Sequence, residues 1–551
     1  MLGPIAAGLL GTLAPAFGWL PALGGTGLSL APWADLLDTP GIATSIRLSL
    51  VTGLASTAIS LAITLALVAA LQGTRAFAAV ERLLSPLLAV PHAAAAFGLA
   101  FLIAPSGWIA RALSPWATGW ERPPDLLIVN DPAGLALIAG LVAKEVPFLL
   151  LMTVAALGQA DARRARLTAL SLGYGPMAAW AKAVLPAVYR QIRLPVFAVL
   201  AYAMSVVDVA AILGPTTPPP LSVRLVEWMR DPDLALRFRA AAGAVLQIGL
   251  VAAGLAAWIA AERAVAALGR RWTAAGWRHA RDGIVRAAAA GAGLATAASV
   301  FLGLAGLAVW SVAGFWRFPE VLPQALTSRI WIREATGLAD PILATLLVAV
   351  TAAGLALALT LACLETEARR GPEARGPGGR ALLLLYLPLL VPQTGFLFGL
   401  QIAASSAGIA PGTAVVILGH LVFVLPYVFL SLSGPWRAWD TRHALAGAAL
   451  GAGPWRVFWR LRLPMLIAPI LTAFAVGLAV SIGQYLPTLL LGAGRVATLT
   501  TEAVALAAGG DRRVIGAWGL VQAVAPLPGF ALALLLPALL WRRRRGMTAR
   551  A

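Results

Sequence analysis

Leu167-Thr168-Ala169-Leu170-Ser171-Leu172-Gly173-Tyr174-Gly175-Pro176, then nine residues and Pro186, decide how this chain is read, because the pattern occurs twice. The second copy, 278 residues on, is Leu445-Ala446-Gly447-Ala448-Ala449-Leu450-Gly451-Ala452-Gly453-Pro454, again followed by nine residues and Pro464. Small and apolar residues, a Gly, then Gly-Pro spell helix, turn, helix. The first Gly suits a left-handed cap, and Pro suits the first turn of the next helix. The closing Leu185-Pro186 and Leu463-Pro464 are expected to break that second helix where the next apolar stretch begins.

Around these loops the chain is overwhelmingly apolar. Of 551 residues, 60% are apolar and 12% charged, and the mean hydropathy is +0.85, which excludes a soluble protein. Apolar stretches fall at 1–23, 47–71, 83–105, 132–157, 194–214, 236–261, 287–312, 341–363, 381–405, 412–433, 465–491 and 514–541, giving about twelve candidate membrane helices. The first is interrupted by Pro4, Pro15 and Pro21 and has no basic start, so it is read as a retained helix rather than a cleaved leader.

A net charge of +19 in a soluble chain would suggest nucleic acid. Here the charges sort by side. With both termini cytoplasmic, the inside segments 72–82, 158–193, 262–286, 364–380, 434–464 and the tail from Trp541 carry 28 basic and eight acidic residues. The outside loops balance at 13 of each. The whole excess follows the positive-inside rule and leaves no nucleic-acid partner to invoke. One cysteine, Cys363, excludes a disulfide framework, and four scattered histidines give no metal-binding spacing. Lys144 and Lys182, the two lysines, both follow Ala, so no phosphate-binding GxxxxGK[ST] loop exists; any ATP is bound by another polypeptide.

Further landmarks repeat. Leu213-Gly214 meets Leu491-Gly492 at 278, Gly140 and Pro147 meet Gly419 and Pro426 at 279, and Pro91-His92 meets Pro392-Gln393 at 301. Six spans per copy make the two halves parallel, related by an axis along the membrane normal. The expected organisation is a first half at 1–261, a basic cytoplasmic linker at 262–286, and a second half at 287–551.

The repeated loops resemble the EAA loop of type I ABC importer permeases. That motif is Glu-Ala-Ala, three residues, Gly, nine more, an apolar residue, one more, then Leu-Pro. Both copies keep the Gly-to-Pro distance, Gly173 to Pro186 and Gly451 to Pro464. The resemblance covers nearly the whole chain as two fused halves, and extends to the long YnjC-like permeases, relatives of ferric-iron, thiamine and molybdate/sulfate systems. It implies an all-α inner-membrane protein, loops 167–186 and 445–464 docking on a pair of ATPase subunits that bind ATP and Mg, and an extracytoplasmic substrate-binding protein. The residues carried over are Leu167, Ala169, Gly173, Gly175, Pro176 and Pro186, with Leu445, Gly447, Gly451, Gly453, Pro454 and Pro464. Leu167 and Leu445 stand where the motif has Glu, so no salt bridge from that position is available.

Polar residues at membrane depth complete the candidates. Lys144-Glu145 lies mid-span, where an ionisable group costs ~2.5–3.5 kcal/mol, so Glu145 either lines the substrate path or belongs to a structural pair. Asp208 sits one span past the first loop, and Gln484-Tyr485 occupies the corresponding place in the second half. His92 and Gln393 follow the paired prolines, which should unwind their helices. No arrangement suited to catalysis is present, so the chain reads as a transport subunit rather than an enzyme. The competing reading is a secondary transporter with a parallel six-plus-six repeat, driven by an ion gradient.

Overall fold

The computed structural model describes residues 2–159, 161–279, 281–370, 379–507 and 509–542. Of the inside segment read at 364–380, residues 364–369 are helical, and 371–378 lie outside the described residues, as does the basic tail beyond Arg542. Among the described residues the fold is helical, with no strand and two isolated β-bridges, Leu20 with Gly25 and Ala313 with Leu326.

The principal helices are α1 (Leu2–Ala16), α2 (Ile42–Leu71), α3 (His92–Ile103), α4 (Leu135–Gln159), α5 (Leu185–Ser205), α6 (Leu236–Ala274), α7 (Gly283–Val312), α8 (Arg329–Arg369), α9 (Gln393–Ser406), α10 (Thr413–Ala438), α11 (Ile467–Ile482) and α12 (Arg512–Val524). Nine described helices are long and apolar enough to cross a bilayer, or eleven when each of two bent pairs counts as one span. The bends are 97° between Leu384–Leu390 and α9, around Pro392, and 73° between Pro454–Met465 and α11. Helix α1 is the shorter apolar one. The basic stretch at 262–286 is largely helical: α6 runs on to Ala274 and α7 starts at Gly283.

Helices far apart in sequence pack together. Helix α1 packs on α9, and α7 packs on α3. The last long helices do the same, α6 on α9 and α12 on α3. Without a hydrophobic drive between helices in lipid, close backbone approach at small residues supplies the contact. A Cβ built on Gly98 in α3 would stand 2.7 Å from the backbone of Gly303 in α7. A Cβ on Gly399, 301 residues after Gly98, would run into the backbone of Gly8 in α1. Thr12 Oγ1 accepts the Gly399 N–H there at 3.0 Å. The same two glycine crossings therefore join both sides.

A second pair of glycines, Gly140 and Gly419, sets helix spacing elsewhere. Gly140 accommodates Leu213, and Gly419 accommodates Leu491, each leaving no room for a Cβ (2.3 Å in both cases).

Gly98→Ala should lower the melting temperature in mild detergent, because overpacking a tight contact costs about 1–3 kcal/mol. Gly291→Ala in α7, which faces open space, should hold or raise it through the better helix propensity of Ala. Equal melting of both variants would refute the crossing as a close-packing constraint.

Candidate coupling loops and the mid-membrane polar cluster

The two repeated loops adopt one backbone. Helix Ala162–Ser171 ends at Leu172, Gly173 takes φ +83°, Gly175 is extended, and Pro176–Ala179 starts the next helix. In the second copy helix Arg442–Ala449 ends at Leu450, Gly451 takes φ +78°, Gly453 is extended, and Pro454–Val457 follows. A positive φ at that point is open to Gly at no steric cost, which is why both copies keep it. Ala169 is buried against the loop's own second helix and Gly447 packs on Leu461 and Val457, so small residues here let the two short helices touch.

The expected break at Leu-Pro is corrected in the first copy. A π-turn at Trp180–Val184 precedes Leu185-Pro186, and the helix runs unbroken from Pro176 to Ser205. The Leu185 N–H reaches Trp180 O, one residue further back than in an α-helix; the wider turn admits a Pro ring that lacks a donor. The second copy has the same π-turn at Phe458–Arg462 but does bend, at Leu466, two residues beyond Pro464.

At the loop surfaces the Leu residues that replace Glu face outward. Leu167 and Leu445 are 53% and 68% exposed, and Leu172 and Leu450 are 59% and 88% exposed. Each loop thus presents two apolar knobs five residues apart. Arg462 beneath the second loop is buried in an ion pair with Glu365 and lies over the Trp439 ring at 4.3 Å.

Helices α5 and α11 are each followed by a break and a short helix. Helix α5 stops at Ser205, Val206 is extended, and a short helix Asp208–Leu213 follows. Helix α11 stops at Ile482, and Leu486–Gly492 follows after Gly483-Gln484-Tyr485. Peptide groups freed there need partners, since no water is present in hydrocarbon. In the first half Gln247 Nε2 donates to Met204 O (2.9 Å) and Ser222 Oγ to Val206 O (2.6 Å). In the second half Thr500 Oγ1 donates to Ile482 O (2.5 Å), and Gln522 Nε2 donates to Thr500 Oγ1 (2.8 Å). Ser222 and Thr500 are 278 residues apart, the loop offset. Sequence reasoning missed this set, although that offset pointed to it.

The candidate path residues fall into two groups. His92, Asp208, Gln393, Gln484 and Tyr485 all lie at breaks in the spans; Asp208 opens the short helix after α5 and Tyr485 precedes the one after α11. Tyr202, not singled out from sequence, joins the first group: its ring lies 5.0 Å from that of His92. Glu145 stands apart, its carboxylate accepting from Ser60 Oγ (2.8 Å) and Ser56 Oγ (3.5 Å) on α2. Lys144 does not pair with it. Its Nζ donates to Leu87 O (2.7 Å) and Val90 O (2.6 Å), the carbonyls freed before Pro91. His420 pins the second break, its ring nitrogens each 2.8 Å from Ser481 Oγ and Thr488 Oγ1.

Paired, broken spans and a twice-built loop define a transport subunit of binding-protein-dependent type, and the chain belongs to the ABC transporter permease family. The family described as "Binding-protein-dependent transport system inner membrane component" matches residues 379–543. The chain is 32% identical over 521 residues to the inner membrane ABC transporter permease protein YnjC of Escherichia coli, covering 94% of this chain and 93% of that protein. It is also 31% identical over 150 residues to the molybdenum transport system permease protein ModB of Mycobacterium tuberculosis, 26% of this chain and 55% of that one. A probable sulfate transport system permease protein cysT of Zygnema circumcarinatum is 29% identical over 87 residues, 16% and 28% of the two chains. The protein is a multi-pass inner-membrane transport subunit, not an enzyme.

Lys144→Met should destabilise the fold without blocking insertion, since two buried carbonyls lose their donor at about 1–3 kcal/mol each. The check is the detergent melting temperature beside Glu145→Gln, which keeps both serine contacts and should melt near wild type. A Lys144→Met protein as stable as Glu145→Gln would sink the assignment.

Proposed function

We propose that this chain is the complete membrane pore of a binding-protein-dependent importer, two fused six-span halves with α1 as the first of twelve membrane helices. Both termini and loops 167–186 and 445–464 face the cytoplasm, where two ATPase subunits dock and supply the ATP and Mg chemistry. A substrate-binding protein delivers cargo from the other side, onto outer loops such as 106–127, 215–235 and 493–513. The observation that carries the reading is the shared loop backbone, with a left-handed Gly and two outward leucines in each copy.

Exposed apolar side chains on a cytoplasmic turn are what a groove on a partner would bury, at ~1.5–3 kcal/mol per fully covered Leu. ATP-driven approach of the two partners would pull both loops together and bias the halves between inward- and outward-open arrangements through their differential contacts. His92, Asp208, Gln393, Gln484 and Tyr485 would then line the route, because they sit where the spans break between the halves. The broken helices offer free dipole ends there, as transport sites in other folds do. Glu145, held by Ser56 and Ser60, braces α4 against α2 beside that route. The gradient-driven alternative asks for titratable partners in both halves; Leu486 and Val424 occupy the places of Asp208 and Glu145.

Leu450→Glu should leave expression and insertion unchanged and cut co-purification of the ATPase from mild detergent by about tenfold, the effect of losing ~1.4 kcal/mol. Transport in vesicles should fall with it. Retained ATPase with full transport would refute docking at this loop, and transport under an ion gradient without ATP would favour the alternative.

A further inference from the structure

The two loops share a backbone but not a setting. The connection between α6 and α7 folds onto the first loop. Arg278 O accepts the Gly175 N–H at 2.9 Å, and the Asp282 carboxylate accepts the Met177 N–H at 2.8 Å. Asp282 is buried and so acts as a capping acceptor supplied from outside the loop. Lys182 Nζ donates to Trp277 O (2.9 Å) and Trp272 O (3.2 Å) and lies over the rings of Tyr174 and Trp272 at 4.8 and 4.4 Å. Trp272 Nε1 in turn donates to His279 Nε2 at 3.2 Å. The side chain of Arg278 runs alongside Gly173.

On the second loop the corresponding N–H groups, those of Gly453 and Trp455, meet no acceptor among the described residues, and Gly451 and Gly453 face open space. Its support comes from below, through Arg369 over the Trp455 ring at 4.4 Å. One loop is strapped and the other is bare.

We propose that the connection between the halves is a fixed part of the first ATPase-docking surface, so that the two ATPase protomers meet non-equivalent sites. This rests on the coupling-loop reading above. Beside Leu172 the strap adds Trp277, 64% exposed, and the exposed guanidinium of Arg278. The partner face that fits is an apolar groove for Leu172 with an acidic side chain against Arg278. The strap also holds the Gly173–Met177 turn in shape before docking, a role an interface rewards by lowering the ordering cost. Asp282 is a positioning residue, whereas Arg278 touches the partner.

The test uses the permease co-expressed with its ATPase in a Cys363→Ser background, with one reporter cysteine at Leu172→Cys or at Leu450→Cys, and reads cross-linking to the ATPase. Arg278→Glu should lower the yield from position 172 by about tenfold and leave position 450 unchanged. Asp282→Ala should act the same way, and Asp282→Asn, which keeps an acceptor oxygen, should restore it. An undiminished yield at 172, or an equal fall at both positions, would overturn the proposal. Wild-type protein that cross-links at neither position would instead overturn the coupling-loop reading on which it rests.

Discussion

A peptide group inside a bilayer has no water to fall back on, and most of what distinguishes this structure follows from how it breaks helices under that constraint. A continuous helix would satisfy every donor and acceptor but would leave no backbone or helix end at mid-membrane. Helices α5 and α11 give up that continuity, and freed carbonyls are met by buried side chains of the segments that follow: Met204 O by Gln247, Val206 O by Ser222, and Ile482 O by Thr500, whose hydroxyl in turn accepts from Gln522. The break before α3 uses the Lys144 side chain, whose Nζ donates to two carbonyls at once.

The halves share backbone solutions and diverge in side chains. Gly98 and Gly399 carry equivalent crossings, as do the Gly140–Leu213 and Gly419–Leu491 contacts. Chemistry, by contrast, is distributed unevenly. Asp208 faces a leucine counterpart, Glu145 a valine, and His420 a leucine, Leu141. Duplication constrains positions where the chain must approach another backbone or free its own, while positions that only face the interior are able to specialise. A route of the kind proposed above, between two such halves, would be asymmetric even though its frame is not.

How far the sequence carries can be judged from particular residues. A many-helix membrane fold and the left-handed turns at Gly173 and Gly451 were legible, because hydropathy and Gly-Pro chemistry are local signals. The crossing of α1 and α7 was not, since nothing local says which helix a glycine meets. Glu145 was legible as a polar residue but not as one held by serines. Its partners belong to a run of buried hydroxyls on α2, Ser49, Thr52, Ser56, Ser60 and Thr64, spaced at three to four residues, a stripe that helical periodicity does expose. Pro186 misled because a missing donor normally ends a helix, and a π-turn absorbs it instead.

Leu167 and Leu445 stand where the resembled motif has Glu, an exchange that the same separation of frame and chemistry allows. A carboxylate at 167 or 445 would contribute through charge, which water and salt screen at an exposed turn. Leu contributes by area, which salt does not screen. What neither residue supplies is the shape of the turn, and that resides in Gly173 and Gly451 with the prolines three residues on. A loop whose fold is set by backbone conformation can exchange its surface chemistry without losing its geometry. Where the surface alone does not hold that geometry, a second segment can do so, and the Asp282 carboxylate on the Met177 N–H is such a brace. The strap could arise because the halves are one chain: a linker that must cross from α6 to α7 passes beside the first loop, and no linker passes between the halves a second time.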